Sequence, residues 1–366
     1  MKYLAVFVVF LFATVSAAQN SMPSIESLDT GWNSIATDGV CSAGSPHQFY
    51  VKPAVQGDDL LVFFNGGGGC WFGQACDLSA QPNIHSPFAD MDQNTPALAG
   101  GVFDFENSEN PFADYNVVFL PYCTGDVHIG GGERNYTYQN AGGEEVNYTA
   151  YHNGYENSSA VLSWVYDNFE SPDKIVLAGS SAGAIGSSFY SGIVAGHYGD
   201  TPVVLVADAA GGYGSPLMSI THEAWNSTAN LPGWPEYLNE TNSTISFEEF
   251  YIASANNNSN LTIAQYNAAE DETQKMFTQL IGDAPGSFSL PQRVFNNYQE
   301  IESGVDEFYT YTAGGPLHMI LVLQEFYQYE VEGVRFVDWV SDLVNGNAVR
   351  DVSCVNEVNG CLQAPN

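Results

Sequence analysis

The chain has 366 residues, with 42 Asp and Glu against 8 Lys and Arg and a formal net charge of −34 at pH 7. A surface this acidic repels nucleic acid and anionic membranes, and no run beyond the N-terminus approaches the roughly 18 apolar residues that a spanning helix needs. The composition leaves an acidic globular protein whose self-repulsion weakens with salt, as the screening length falls below about 10 Å.

Met1-Lys2-Tyr3, the apolar run Leu4 to Phe12 and the small residues up to Ala18 read as a secretory signal peptide over residues 1–18. With no internal repeat or long linker behind it, residues 19–366 are expected to form a single domain, secreted and monomeric. An exported chain meets an oxidising space, so its cysteines are expected to pair. Proximity suggests Cys70 with Cys76 and Cys354 with Cys361, which leaves Cys41 with Cys123, although spacing alone does not decide connectivity. The spacings match no zinc pattern and no histidines cluster beside them, so no metal and no other cofactor is expected. Asn-x-Ser/Thr sequons at Asn135, Asn147, Asn157, Asn226, Asn239, Asn242, Asn257 and Asn260 suggest a glycoprotein with exposed loops over 135–160 and 226–262.

Apolar segments suited to buried strands recur at 59–64, 115–120, 174–178, 203–207, 261–266 and 307–312. Helical patterns at 155–169, 182–198, 268–281 and 316–330 alternate with them, which predicts an α/β fold with a mostly parallel sheet covered on both faces. The first strand empties into Asn65-Gly66-Gly67-Gly68-Gly69-Cys70-Trp71, whose bare backbone can approach a ligand closely. A phosphate cradle would continue into Gly-Lys-Ser/Thr, and this loop does not. The strand 174–178 runs into Gly179-Ser180-Ser181-Ala182-Gly183, the G-x-S-x-G of a nucleophile elbow, where a serine sits on a strained strand-to-helix turn. Ser181 is therefore the candidate nucleophile. Backbone N–H groups of Ala182, Gly68 and Gly69 are the candidate oxyanion donors. Residues 209–250, with Trp225, Trp234 and Tyr237, break the alternation and read as an inserted cap or rim.

A hydrolase triad on this fold runs nucleophile, acid, histidine. His318 follows the last strand and the Gly314-Gly315-Pro316 turn and is the candidate base, ahead of His222 in the insertion and His197 on the elbow helix. Asp271, just past 261–266, is the candidate acid and Asp208, at the end of 203–207, the runner-up. Acids are also favoured in any first helical turn, so Asp271 has a capping role as its competing explanation.

With these parts placed, the chain resembles the pectin acetylesterase and Notum family of α/β-hydrolases. The resemblance rests on the Gly66 to Trp71 loop, Tyr115 to Val118, the stretch Pro121-Tyr122-Cys123-Thr124-Gly125-Asp126-Val127-His128-Ile129-Gly130, the elbow, Asp271-x-x-Gln274 and His318. It implies serine carboxylester hydrolysis through Ser181, Asp271 and His318, and supports pairing Cys123 with a cysteine near the N-terminus. Trp71, Asp126 and His128 become candidate substrate contacts. The elbow departs from many plant members by ending in Ala-Gly-Ala. The implied substrate is an acylated carbohydrate bearing O-acetyl groups. A fatty-acyl esterase, which needs a deep apolar pocket, is the enzymatic alternative, and an inactive extracellular binding protein is the non-enzymatic one.

Overall fold

This computed structural model describes residues 22–214, 218–282, 289–356 and 360–362. The signal peptide expected over residues 1–18 lies outside them. The strands are β1 (Asn33–Val40), β2 (Pro46–Lys52), β3 (Leu60–Phe64), β4 (Asn116–Leu120), β5 (Gly132–Gln139), β6 (Glu145–His152), β7 (Ile175–Ser180), β8 (Val203–Asp208), β9 (Leu261–Ala268), β10 (Phe308–Ala313), β11 (Glu330–Val331), β12 (Val334–Arg335) and β13 (Val352–Ser353). The α-helices are α1 (Gly73–Cys76), α2 (Gly154–Asn168), α3 (Ala182–Tyr198), α4 (Ser219–Trp225), α5 (Phe247–Asn257), α6 (Glu272–Ile281), α7 (Leu290–Glu302) and α8 (Phe336–Val344).

One nine-stranded sheet runs in the order β1-β2-β4-β3-β7-β8-β9-β10-β13. All neighbours from β4 onward pair parallel, and β1 and β2 form an antiparallel edge. This is the mostly parallel sheet of an α/β-hydrolase fold. The pleat sends alternate residues to opposite faces. In β3, Leu60, Val62 and Phe64 join a core with Trp164 of α2, Phe189 of α3 and Phe250 of α5. Leu61 and Phe63 point the other way, into a core with Phe103, Phe336 and Trp339. Cover on both faces is why β3, β4, β7 and β8 are buried throughout and apolar except at the terminal Asn116, Ser180 and Asp208.

All six predicted strands form, within two residues at either end, and α2 and α3 fall where the pattern puts them. The helix predicted over 316–330 does not form. Its start is an irregular loop in which Met319 has a positive φ of 67° and the N–H groups of Ile320 and Leu321 donate to Asp208, and only a 3-10 turn at Gln324–Tyr327 follows. The helix predicted from 268 begins at Glu272 instead, because β9 continues to pair with β10 as far as Ala268.

The loop expected over 135–160 is a regular hairpin of β5 and β6 followed by α2. Two sequons face each other across that hairpin: Thr137 Oγ1 donates to Asn147 Oδ1, and Thr149 Oγ1 to Asn135 Oδ1. Asn157 is buried in α2 and its amide donates to the Val40 carbonyl, so this sequon is not on an exposed loop. The motif marks an acceptor sequence and carries no information about exposure.

Candidate active site

The carboxyl ends of β3, β7, β8, β9 and β10 open onto one crevice, the usual ligand position of an open parallel sheet. Ser181 stands between β7 and α3 with φ 56° and ψ −122°, a strained conformation for a non-glycine residue. The turn is held by the Ser181 N–H, which donates to the Asp208 carbonyl at 2.7 Å. Small neighbours are mandatory. A Cβ on Gly179 would run into the Gly183 carbonyl, one on Gly183 into the Phe64 carbonyl, and one on Gly66 would lie 2.9 Å from Ser181 Cβ.

His318 Nδ1 meets Asp271 Oδ2 at 2.7 Å. Asp271 is fully buried, and its two oxygens divide the roles that the sequence left in competition. Oδ1 accepts from the N–H groups of Thr273 and Gln274, both at 2.9 Å, and caps α6. Oδ2 takes His318 and the Gln274 side-chain amide. Ser181 and His318 line the same groove, with no hydrogen bond between them in this state. Such contacts are often loose without substrate.

Asp208 also lies fully buried, one strand away, and its Oδ2 accepts from Ser180 Oγ and from the N–H groups of Ile320 and Leu321. Burial pushes its carboxyl up to about 6. It anchors the loop that carries His318 and does not touch the imidazole by hydrogen bond.

The glycine loop splits the proposed oxyanion donors. Gly69 N–H donates to the Ile84 carbonyl at 3.1 Å and is committed to the scaffold, which removes it from the donor set. Gly68 pairs with His85 in the non-hydrogen-bonded register, so its own N–H donates to no group among the described residues. The Ala182 N–H, at the start of α3, is likewise uncommitted and sits at the positive end of the helix.

Two cavities flank Ser181. One of about 30 Å³ is apolar, and Trp71, Ile185, Tyr213, Met218, Trp225 and Phe277 are among its walls, with Gly68 and Ala182 at its mouth. The other is a groove of about 380 Å³ lined by Asn65, Ser86, Asp92, Thr95, Thr273 and His318 among others. No Lys or Arg lines either one. Trp71 lines the small cavity. Trp225, from the 209–250 segment read as a cap or rim, is also a wall of this cavity, and its indole N–H donates to the Cys70 carbonyl at 2.7 Å, which fixes the ring.

Asp126 and His128 line neither cavity. Asp126 is fully buried, pushed up to about 6 by burial, and accepts from Thr124 Oγ1 and the N–H groups of His128 and Gly154. His128 donates through Nε2 to the Asn65 carbonyl at 2.9 Å, and burial holds it down to about 4. Both brace the loop beneath the crevice. A motif with many constrained residues signals a demanding fold as readily as a ligand contact.

The disulfides are Cys41–Cys123, Cys70–Cys76 and Cys354–Cys361. Cys70 and Cys76 lie close to His152, a grouping that could suggest a metal, but both sulfurs are spent on each other and His152 is bonded to Tyr136 and Thr124. Among the described residues no helix is long and apolar enough to cross a membrane.

The family model described as Pectinacetylesterase matches residues 18–268, more than half of the chain, and ends three residues before Asp271. The human palmitoleoyl-protein carboxylesterase NOTUM is 27% identical over 151 residues, and the planarian Schmidtea mediterranea protein of that name 27% over 161. The matches take in 41% of this chain and only 28% and 27% of those relatives' lengths. A zebrafish inactive palmitoleoyl-protein carboxylesterase, notum1b, is 30% identical over 91 residues, 25% of this chain and 65% of its own length.

Proposed function

The chain belongs to the pectinacetylesterase family, and from that premise we propose that it is a secreted serine carboxylesterase removing short acyl groups, acetyl above all, from a neutral carbohydrate. Ser181 Oγ attacks the ester carbonyl while His318 Nε2 takes its proton and Asp271 steadies the imidazolium. The oxyanion draws on the N–H groups of Gly68 and Ala182. His318 then returns the proton to the departing sugar hydroxyl, and water, activated by the same imidazole, releases the acid and restores Ser181.

The observation that carries this reading is the inequality of the two cavities. About 30 Å³ of apolar space accommodates roughly two water-sized groups, the scale of an acetyl, whereas the 380 Å³ groove, whose walls mix Asn65, Ser86, Asp92 and Thr95 with Phe119, Phe277, Met319 and Val322, has room for a bulky hydroxylic leaving group. A groove with Asp92 and no cation, on a chain of charge −34, favours neutral glycans over polyuronates. The three disulfides support an oxidising compartment, and the continuous sheet from β1 to β13 supports a single domain.

A p-nitrophenyl ester series tests the acyl side. The expected kcat/KM is highest for acetate and falls through butanoate to octanoate and palmitate, with Ser181→Ala inactive on all. A maximum at octanoate or beyond would favour the fatty-acyl reading, to which the mostly apolar wall and the names of the relatives lend support.

A further inference from the structure

Gln274 has no part in the chemistry above, although it ends the Asp271-x-x-Gln274 segment and is fully buried. Its side chain is divided between two masters. Nε2 donates to Asp271 Oδ2 at 3.0 Å, the oxygen that also holds His318, and Oε1 accepts from the Gly212 N–H at 2.8 Å. The Gly212 group in contact is its N–H, a donor, so the amide oxygen must face it and the nitrogen must face the carboxylate. Asn267 extends the clamp: its Oδ1 accepts from Gly211 N–H at 2.9 Å and lies 3.3 Å from Gln274 Nε2, while its Nδ2 donates to Tyr298 OH at 3.1 Å. The clamped backbone leads directly into Tyr213, a wall of the small apolar cavity.

We propose that Gln274 is a positioning residue: its amide fixes the rotation of the Asp271 carboxylate, so that His318 always meets the same oxygen, and ties that carboxylate through Gly212 to the wall of the acyl cavity. This rests on the reading of Ser181, His318 and Asp271 as the reacting set. A carboxylate held only by the helix cap on Oδ1 could turn about its Cβ–Cγ bond; a donor on Oδ2 from an amide that a backbone N–H itself orients removes that freedom.

An amide is needed because a carboxylate at 274 would oppose Asp271, whereas a protonated carboxyl could still donate to Oδ2 and accept from Gly212. The titratable groups around the pair are His318, Tyr213, Tyr266 and Tyr298, and burial pushes all three phenols upward, so they stay neutral at working pH. Lys275, Glu270 and Glu272 are engaged with one another in ion pairs on α6 and its N-terminal approach.

The test compares Gln274→Glu, Gln274→Met and Asp271→Asn on p-nitrophenyl acetate from pH 5 to 9, with melting temperatures alongside. Gln274→Glu should lose about 10²-fold in kcat at pH 8, with KM within about threefold, and recover most of that deficit relative to wild type at pH 5. Gln274→Met, of similar volume, should lose kcat at every pH without recovery. A Glu-to-wild-type ratio flat across pH, or a Met variant with wild-type kcat, overturns the proposal even if one of the two folds poorly. If Asp271→Asn keeps wild-type kcat, the reading of the reacting set fails instead; if it is inactive while Gln274→Glu tracks wild type, only the positioning role fails.

Discussion

Two aspartates finish neighbouring strands, Asp208 on β8 and Asp271 just beyond β9, and both are fully buried. They differ only in what surrounds them. Asp208 receives a serine hydroxyl and two backbone N–H groups and ties down the loop bearing His318, while Asp271 receives the imidazole itself at 2.7 Å. Burial and residue type alone therefore do not mark a catalytic acid, and neither does a raised pKa, which burial gives to the scaffold residue Asp126 as well as to Asp208. In the proposed mechanism the partner decides: Asp271 meets the His318 imidazole directly, and Asp208 holds the backbone beside it.

That contrast breaks most visibly at Asp271. Asp271→Asn should lower kcat by about 10³ or more, since an amide there favours the wrong imidazole tautomer. Stopped assays on p-nitrophenyl acetate would reveal it, and a loss confined to Asp208→Asn would exchange the two roles.

The next effect is on stability. An acid whose folded pKa is raised from 3.8 to about 6 holds its proton more tightly in the native state than in the unfolded one. Between those values the native state binds more protons, so this group's contribution to stability falls as pH rises, by roughly 3 kcal/mol for a shift of this size. Asp208→Asn lacks the titration, and its melting temperature should gain on wild type from pH 4 to pH 7. A constant difference across that range would mean that Asp208 does not titrate there.

On activity, Asp208→Asn should cost only about tenfold in kcat, because an amide oxygen can still accept from Ile320 or Leu321 and keep the loop near its place. The smallest effect concerns the surface: hydrolysis of a neutral acetylated glycan should barely respond to salt, while that of an acetylated polyuronate should rise a few-fold as repulsion is screened. Polyuronate activity that fell with salt would point to a local basic patch.

The sheet centre was legible because β3, β4, β7 and β8 are buried on both faces and leave unbroken apolar runs. The edge strand β1 mixes polar with apolar residues and is largely exposed or half-buried, and the β5–β6 hairpin is polar with mostly exposed or half-buried residues, so neither gave such a signal. Ser181, Asp271 and His318 could be proposed together because the elbow and the strand ends constrain chain order, and the structure brings Asp271 to His318 and both Ser181 and His318 to one groove. Gly69 could not be separated from Gly68, since which N–H faces the crevice depends on register with His85 rather than on residue type. The loop at 316–323 read as helix because nothing local announces that Asp208, more than a hundred residues earlier, captures its N–H groups.

The central claim is that Ser181 carries the acyl group. Brief reaction with p-nitrophenyl acetate, acid quenching and peptide mass spectrometry test it directly, using Asp271→Asn to slow turnover. The account predicts one acetyl mass on the peptide containing Ser181 and none in Ser181→Ala, which should also be inactive. An acetyl on another residue, or wild-type turnover by Ser181→Ala, would contradict it.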